Sequence, residues 1–211
     1  NFYSPRKILI DFNFLNTISE DDVKSGLGEM FHYFMVSSKE DFDYATKHSR
    51  QAMTNPLLLS QLINRSLQIK KAMIEIDEYD RGPRQVFNYG HSFGHALETA
   101  TQYAVPHGIC VGIGMELANR ISHRLDLIEK TTQSSIRQAL SVTWENVEID
   151  AVDGEQYLAA LARDKKNVGN DVMVILTRGI GAMFKTKLPL DIAMQKFVRD
   201  YIEHQRWQED N

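Results

Sequence analysis

The stretch RQVFNYGHSFGHALETATQYAVPHGIC, residues 84–110, decides how the rest of the chain is arranged. It holds three of the seven histidines of the chain, His91, His95 and His107, within a span of seventeen residues. Apolar residues recur at the spacing of a helix and predict one over residues 90–103. Because residues four apart share one face of a helix, the side chains of His91 and His95 are expected to point the same way.

A turn must follow this helix, because Pro106 cannot lie inside a continuing one. The sequence therefore predicts a second helix that begins at His107 and can return that residue to the vicinity of His91. Glu98 lies one turn beyond His95. Two imidazoles and a carboxylate from elsewhere in the chain make a three-ligand catalytic zinc set with one open coordination position. The alternative is that these histidines are ordinary surface or core residues.

The segment SGLGEMFHYFMV, residues 25–36, offers the missing carboxylate. It is largely apolar, so Glu29 and His32 are expected on a mostly buried helix, one turn apart. A buried carboxylate needs a cation, and Glu29 is therefore the candidate for the third metal ligand. The alternative is that Glu29 pairs with an arginine or caps a helix.

Composition narrows the class of protein. The chain has 211 residues, 43% hydrophobic and 25% charged, enough for one sizeable core. Its net charge of -4 and its scattered basic residues give no footprint for nucleic acid, and it has neither a signal peptide nor a membrane-length apolar run. A single cysteine, Cys110, excludes an internal disulfide and favours a reducing compartment. We expect a cytoplasmic protein without nucleic-acid or membrane partners.

The remaining pattern predicts a mainly helical domain over residues 18–211, preceded at residues 1–17 by the end of an upstream domain that carries a sheet. The run KILID at residues 7–11 reads as a strand, and one strand needs neighbours that this stretch does not supply. A late strand at 172–178 with a turn at 179–181 predicts a small hairpin. Further helices are predicted from Ser19 or Thr17 as N-cap, over 41–53, over 55–77 with Asn55 as N-cap and Pro56 first, over 107–128, 129–143 and 153–163, and from Pro189 to a frayed polar tail at 205–211.

These motifs together resemble a known family. The pattern RxxxNxGHSFGHAxE at residues 84–98, followed by HG at 107, strongly resembles the signature of the dehydroquinate synthase-like sugar phosphate cyclases. The family's other motifs follow in its order and at close to its spacing: SGLGE at 25–29, Lys70, DE at 77–78 and DKK at 164–166. The opening PxxILID at 5–11 looks like the last strand of the family's NAD-binding domain. The resemblance covers nearly the whole chain.

The resemblance implies a fold and a set of roles. Residues 18–211 would be the family's mainly α, metal- and substrate-binding C-terminal domain, and residues 1–17 would end an α/β NAD-binding domain whose NAD-contacting residues lie upstream. Glu29, His91 and His107 would hold zinc or cobalt. The substrate's hydroxyls, carboxylate and phosphate would meet Lys70, Arg84, Asn88, His95 and one or both of Lys165 and Lys166. The catalytic set would be His95, Lys70, Arg84, Asn88 and His32, in a homodimer.

The implied reaction uses a recycled NAD to oxidise a ring hydroxyl, eliminate phosphate, reduce the ketone, open the ring and close it by an aldol step. The first expected substrate is 3-deoxy-arabino-heptulosonate 7-phosphate, which would give 3-dehydroquinate. Two positions depart from the family's pattern: His32 replaces a usual lysine, and Ile109 a usual glutamate. At His32 we expect a side chain that is partly charged near neutral pH.

These departures leave alternatives open. One is a related cyclase for another sugar phosphate such as glucose 6-phosphate, although Asn88 and His95 argue against the sedoheptulose phosphate branch. Another is a non-catalytic relative that keeps the fold. A hydrolytic metalloenzyme also suits a Glu/His/His set, although the chain lacks the His-Glu-x-x-His helix of the zincins.

Overall fold

A computed structural model describes residues 6–163 and 171–208. The predicted mainly helical architecture is confirmed, with helices packed around a buried central helix and a two-stranded hairpin on one side. The α-helices are α1 Glu20–Ser37, α2 Lys39–Ala52, α3 Pro56–Ile76, α4 His91–Ala100, α5 His107–Arg124, α6 Lys130–Leu140, α7 Gly154–Ala162 and α8 Ile192–Glu203. The strands are β1 Asp171–Thr177 and β2 Met183–Pro189, and short 3-10 helices cover Phe12–Asn16, Pro83–Asn88 and Ser141–Thr143. None of the helices in the described ranges is both long and apolar enough to span a bilayer.

Local capping explains where several helices begin. Ser19, and not Thr17, caps α1: its hydroxyl accepts a hydrogen bond from the backbone N–H of Asp22, whose carboxylate accepts in return from the N–H of Ser19. The side chain of Asn55 accepts from a first-turn N–H of α3, and Pro56 occupies the first helical position. Both predicted starts are therefore confirmed.

Helix α5 is the centre of the core, and α1 and α4 pack against it. The glycines in α5 permit this packing, as the sequence predicts. A Cβ on Gly114 would overlap the carbonyl oxygen of Gly90, so the start of α4 rests directly on α5. At Gly112 the close neighbour is the side chain of Thr143 and not a second backbone.

The predicted hairpin is confirmed. Strand β1 pairs antiparallel with β2, in a register that runs from Asp171 opposite Pro189 to Thr177 opposite Met183. The N–H of Thr177 donates to Ser122 Oγ of α5 at 3.1 Å, and the N–H of Gly181 in the turn donates to a carbonyl oxygen near the end of α1 at 2.8 Å. These two hydrogen bonds attach the hairpin to α5 and to the end of α1.

One predicted element, the helix start at Pro189, is wrong, and the strand predicted at residues 7–11 is not formed by this chain alone. Residues 7–11 form no strand but an irregular segment in which Ile8 is 73% and Leu9 82% exposed. No other strand lies beside this segment in the described part of the chain, so it has no ladder to join. Pro189 ends β2 and does not start a helix. Helix α8 begins at Ile192, because the carboxylate of Asp191 caps it by accepting a hydrogen bond from a first-turn N–H.

Three helix ends also differ from the predictions. Helix α4 stops at Ala100 because Gln102 and Tyr103 take positive φ values of 52° and 63°, which break the helical hydrogen-bond pattern. Helix α5 stops at Arg124, ahead of the predicted residue 128, and Asp126 just beyond it again has a positive φ, of 56°. Helix α6 gives way to the short 3-10 helix that ends at residue 143.

The predicted frayed tail is wrong for the part that the structure describes. Nη2 of Arg120 donates to the carbonyl oxygen of Arg206 at 2.9 Å, and Nη2 of Arg137 donates to that of Trp207 at 2.9 Å. The indole of Trp207 is fully buried. Charged side chains from α5 and α6 therefore hold this segment against the core.

Candidate metal centre

Three helices bring three metal-ligand side chains to one point. Glu29 comes from the middle of α1, His91 is the first residue of α4, and His107 is the first residue of α5. Glu29 Oε1 lies 3.0 Å from Nε2 of His107 and 3.6 Å from Nε2 of His91. One potential ligand atom from each side chain falls within 4.8 Å of the other two. The structure thus assembles the set that the sequence predicts.

Glycines set the distance between Glu29 and His107. A Cβ on Gly28 would overlap the carbonyl oxygen of Gly108, and a Cβ on Gly108 would overlap that of Ser25. The hydroxyl of Ser25 accepts a hydrogen bond from the N–H of Gly108 at 2.9 Å. Helices α1 and α5 therefore touch backbone to backbone, at the residues adjacent to the two ligands.

The backbone before α4 orients His91. Gly90 is the N-cap of α4 and has a φ of 79°, in the left-handed region that glycine adopts without steric cost. Nδ1 of His91 lies 3.2 Å from the carbonyl oxygen of Tyr89. Because that oxygen can only accept, Nδ1 carries the proton, and the lone pair of Nε2 faces Glu29.

The arrangement fits a divalent metal ion. Glu29 Oε1 is a buried atom, and the imidazole nitrogens of both ligand histidines converge on it, Nε2 of His107 at 3.0 Å and Nε2 of His91 at 3.6 Å. A carboxylate oxygen and two imidazole nitrogens are ligands that zinc accepts, and other divalent ions of similar preference suit the same set. A fourth position on such an ion would remain for a substrate oxygen or water.

Electrostatics inside the cluster favour a cation. Burial raises the pKa of Glu29, but its contact with His107 and the charges of the neighbouring histidines outweigh burial and lower that pKa to about 2. The contacts with Glu29 and, less strongly, with Glu98 raise the pKa of His107 to about 9, against an opposing effect of burial. Burial lowers the pKa of His91. At neutral pH Glu29 is therefore ionised, and a metal ion would displace a proton from His107.

His95 and Glu98 border the three ligands from α4. The exposed ring of His95 has its centroid 5.5 Å from that of His91 and 5.5 Å from that of His107. Glu98 Oε1 lies 3.0 Å from Nδ1 of His107, on the side of the imidazole opposite Glu29. His95 is thus placed where it could meet a molecule bound at the open side of the centre.

The predicted substrate residue Arg84 is held by the turn that precedes the 3-10 helix Pro83–Asn88. Its Nη1 donates to the carbonyl oxygen of Glu78 at 2.8 Å, and its Nε lies 3.6 Å from Asp80. The carboxylate of Asp77 accepts from the backbone N–H groups of residues 81, 82 and 84 and so fixes the turn. Asp77 therefore supports Arg84 through the backbone.

Asn88 lines a small cavity of 210 Å³ between the 3-10 helix and the hairpin, together with Ser92 and residues 173–175 of β1. Nδ2 of Asn88 donates to the carbonyl oxygen of Gln85 at 3.0 Å. Nζ of Lys185, on β2, donates to the side-chain oxygen of Gln85 at 3.0 Å. Sequence reasoning missed Lys185, because only the alternation of strand β2 marks that position and the partner is 100 residues away.

The predicted lysines differ in how they are placed. Lys70 is exposed on α3, with its ammonium group 5.4 Å from the centre of the Tyr33 ring. Lys165 and Lys166 lie outside the described residues.

The two departures from the family's pattern are both buried. His32 is 1% exposed, its ring centroid lies 5.0 Å from that of His91, and its Nδ1 has no hydrogen-bond partner within the described ranges. Burial lowers the pKa of His32 to about 3, so the expectation of a partly charged side chain near neutral pH is wrong. Ile109 is fully buried in the hydrophobic core.

The family model for the 3-dehydroquinate synthase C-terminal domain matches residues 26–167. The chain belongs to this family. It is 33% identical to the 3-dehydroquinate synthase of Bartonella tribocorum over 202 residues, which are 92% of this chain and 54% of that protein. It is 34% identical to the 3-dehydroquinate synthase of Clostridium beijerinckii over 190 residues, 89% of this chain and 53% of that protein. The chain thus spans about half the length of the curated relatives that it matches.

Solved structures confirm the fold of this 3-dehydroquinate synthase-like domain. A 2-deoxy-scyllo-inosose synthase complexed with carbaglucose-6-phosphate, NAD+ and Co2+ superposes with a TM-score of 0.81 at 22% identity, over 96% of this chain and 57% of that one. The 2-epi-5-epi-valiolone synthase of Streptomyces hygroscopicus subsp. jinggangensis, with NAD+ and Zn2+ bound, gives a TM-score of 0.77 at 21% identity, over 94% of this chain and 55% of that one. At sequence identities this low, the structural similarity establishes the fold and nothing further.

Proposed function

We propose that this chain is the metal- and substrate-binding part of a cyclase that converts 3-deoxy-arabino-heptulosonate 7-phosphate to 3-dehydroquinate. The observation that carries the proposal is the convergence of Glu29, His91 and His107 on one point, with ligand atoms of the three side chains within 4.8 Å of one another. The identity of about one third to 3-dehydroquinate synthases supports this substrate over those of the solved relatives, which share only 21–22%.

The residues of the chain suit the steps of that reaction. A zinc or cobalt ion on Glu29, His91 and His107 would supply Lewis acidity at a substrate hydroxyl, and NAD would take and return a hydride. The planar guanidinium of Arg84 suits a carboxylate or phosphate, and the ammonium of Lys70 offers a point charge.

His95 and Asn88 complete the proposed substrate site. The imidazole of His95, exposed beside the ligand histidines, would move a proton during phosphate elimination, and Asn88 would hydrogen-bond a ring hydroxyl. Lys165 and Lys166 belong to the same proposal through the family's motif. His32, uncharged beneath His91, would act on the site through that ligand and not as a cation.

The reaction would make the protein a carbon–oxygen lyase. NAD would bind mainly to an α/β domain that precedes residue 18, and the segment 1–17 would be the end of that domain. We further propose a homodimer in the cytoplasm.

The test is turnover by the full-length, metal-loaded protein with NAD, with the heptulosonate phosphate and glucose 6-phosphate offered in parallel and phosphate release followed. Release with the heptulosonate phosphate alone, with dehydroquinate as product, is the expected result. Release with glucose 6-phosphate alone would assign the chain to the alternative substrate. Phosphate release without NAD would identify a hydrolase, and no turnover with either substrate would contradict a cyclase.

A further inference from the structure

His107 has a carboxylate at each of its two ring nitrogens. Glu29 Oε1 lies 3.0 Å from Nε2, and Glu98 Oε1 lies 3.0 Å from Nδ1. Glu29 belongs to the converging ligand set, whereas Glu98 lies on the far side of the ring. The imidazole is therefore held between two acceptors with different positions relative to the centre.

Packing of α4 against α5 fixes the place of Glu98. A Cβ on Gly94 would lie 3.0 Å from backbone atoms of Cys110 and Val111, so the backbones of α4 and α5 are in direct contact at this point. The side chain of Glu98 is 14% exposed, compared with 40% for His107. A largely buried carboxylate of this kind loses little hydrogen-bond strength to competing water.

We propose that Glu98 is a positioning residue for the metal centre: its carboxylate accepts the proton of His107 Nδ1 and thereby keeps the lone pair of Nε2 directed at the ion. This inference rests on the proposed function, because it assigns a role toward the ion that Glu29, His91 and His107 would hold. A ligand histidine whose other nitrogen donates to a carboxylate has a fixed tautomer, a fixed ring orientation and greater basicity. The carbonyl oxygen of Tyr89 has the same effect on His91, because it lies 3.2 Å from Nδ1 of that ring.

A second metal ion bound by His95, Glu98 and His107 is the competing reading, since ligand atoms of these three side chains also lie within 4.8 Å of one another. That reading requires His107 to give Nε2 to one ion and Nδ1 to another, which needs a doubly deprotonated, bridging imidazole. A single ion with Glu98 as hydrogen-bond acceptor uses both nitrogens in their ordinary neutral form. Metal stoichiometry separates the two readings.

The experiment is a zinc titration of the full-length protein against a chromophoric chelator, for the wild type, Glu98→Gln and Glu98→Ala. Glu75→Gln is the matched control, because Glu75 is exposed on α3 and its carboxylate is 3.7 Å from Lys71. We expect one zinc per chain and a Kd that is about 10–100-fold weaker in Glu98→Ala, with a smaller loss in Glu98→Gln, which can still accept the proton. The control should match the wild type.

A second measurement separates positioning from a general effect on folding. In zinc-loaded protein labelled with 15N-histidine, the Nδ1–H proton of His107 should give a downfield, slowly exchanging NMR signal that moves upfield and exchanges faster in Glu98→Ala. Unchanged Kd values and an unchanged signal would overturn the inference. So would a drop from two zinc ions to one in the variants. A wild type that binds no zinc would contradict the proposed function itself, whereas normal wild-type binding with indifferent variants would contradict only the role of Glu98.

Discussion

His91 and His95 are one helical turn apart, yet the structure gives them different surroundings. Nε2 of His91 faces Glu29 at 3.6 Å, and its other nitrogen lies against the carbonyl oxygen of Tyr89. The side chain of His95 is exposed beside this pair. The first histidine is therefore suited to hold an ion and the second to meet what binds there.

This difference predicts opposite results for two alanine variants. His91→Ala should remove most bound metal, because two ligands rarely retain an ion that three hold. His95→Ala should keep the metal but lower turnover by about 10²–10⁴-fold, the usual cost of a lost acid–base group. Metal analysis of the purified variants, with turnover measured in parallel, checks both. Retained metal in His91→Ala would refute the ligand assignment, and lost metal in His95→Ala would move that residue into the ligand set.

At the residue scale the sequence predicts what depends on local spacing and misses what depends on distant packing. His91, His95 and the turn before His107 follow from helix periodicity and one proline. The charge state of His32 does not, since it depends on burial by side chains from other elements. Lys185 reaches the cavity of Asn88 through the pairing of two strands, which no local pattern near the histidines records.

At the scale of elements, the crossing of α1 and α5 sets the geometry of the centre. The helices meet at Gly28 and Gly108, where an added Cβ would overlap backbone carbonyl oxygens. Backbone atoms cannot move aside as a flexible side chain can, so any larger residue must push the helices apart. Glu29 and His107, next in sequence to these glycines, would separate with them.

Two alanine substitutions on α1 test this crossing. Gly28→Ala should lower the free energy of unfolding by about 1–3 kcal/mol, the typical cost of overpacking, and should weaken zinc binding. Gly26→Ala is the matched control, since a Cβ there meets nothing within 4 Å. Its free energy of unfolding should rise by about 0.5–1 kcal/mol, because alanine favours a helix interior over glycine. Urea denaturation of metal-free protein measures both, and equal effects would contradict the crossing.

Element boundaries show the same division between local and distant causes. The starts of α1 and α3 were predictable because Ser19 and Asn55 cap their own first turns. The predicted helix start at Pro189 was wrong, because proline fits the end of an edge strand as readily as the start of a helix. Residues 7–11 have the composition of a strand, but a strand forms only where a partner supplies its hydrogen bonds.

At the scale of the whole molecule, a metal at the α1–α4–α5 junction would join α1 to the consecutive helices α4 and α5, which come much later in the chain. Zinc at about 100 times its Kd should stabilise the folded state by about 2.7 kcal/mol if it does not bind the unfolded chain. Thermal unfolding with and without zinc should therefore show a higher Tm with the ion. His91→Ala should abolish this shift while His95→Ala keeps it, and a shift that persists in His91→Ala would place the ion elsewhere.

A second property of the whole molecule is its stability in acid. Asp41 is 4% exposed, and its carboxylate accepts hydrogen bonds from Ser37 Oγ at 2.5 Å, Ser38 Oγ at 3.2 Å and Arg65 Nε at 2.7 Å. Burial acts to raise the pKa of Asp41, but the bond from Arg65 and those from the two serines outweigh it and lower the pKa. The hydrogen bonds to the Asp41 carboxylate therefore join α1, α2 and α3 most strongly when Asp41 is ionised.

The sign of the pH dependence follows from that lowered pKa. The contribution of Asp41 is fully present above its unfolded pKa of about 3.9 and is lost as the pH falls through the lower folded pKa. Asp41→Asn should thus cost about 1–3 kcal/mol of unfolding free energy at pH 7, and the difference from wild type should shrink below about pH 4. Asp43→Asn is the control, because its pair with Lys39 is exposed. A cost that does not change with pH would contradict this role.

The overall helical architecture was predictable from the family's motifs, whereas contacts that depend on packing between distant segments were not. The family's motifs imply a helical domain, and the fold confirms it. Nothing in the sequence announces that Arg120 and Arg137 hold the backbone at Arg206 and Trp207, because each of those contacts spans 70 or more residues.

The contacts of Arg206 and Trp207 with the core can form only late in the synthesis of the chain. Trp207 is fully buried in the same core as α5, whose residues are translated about 90 positions earlier. At a synthesis rate of about 5–20 residues per second, α5 waits several seconds before Trp207 has even been added, and longer until it clears the ribosomal tunnel. The part of the core that Trp207 completes is therefore open on the nascent chain for that interval, during which chaperones can bind there.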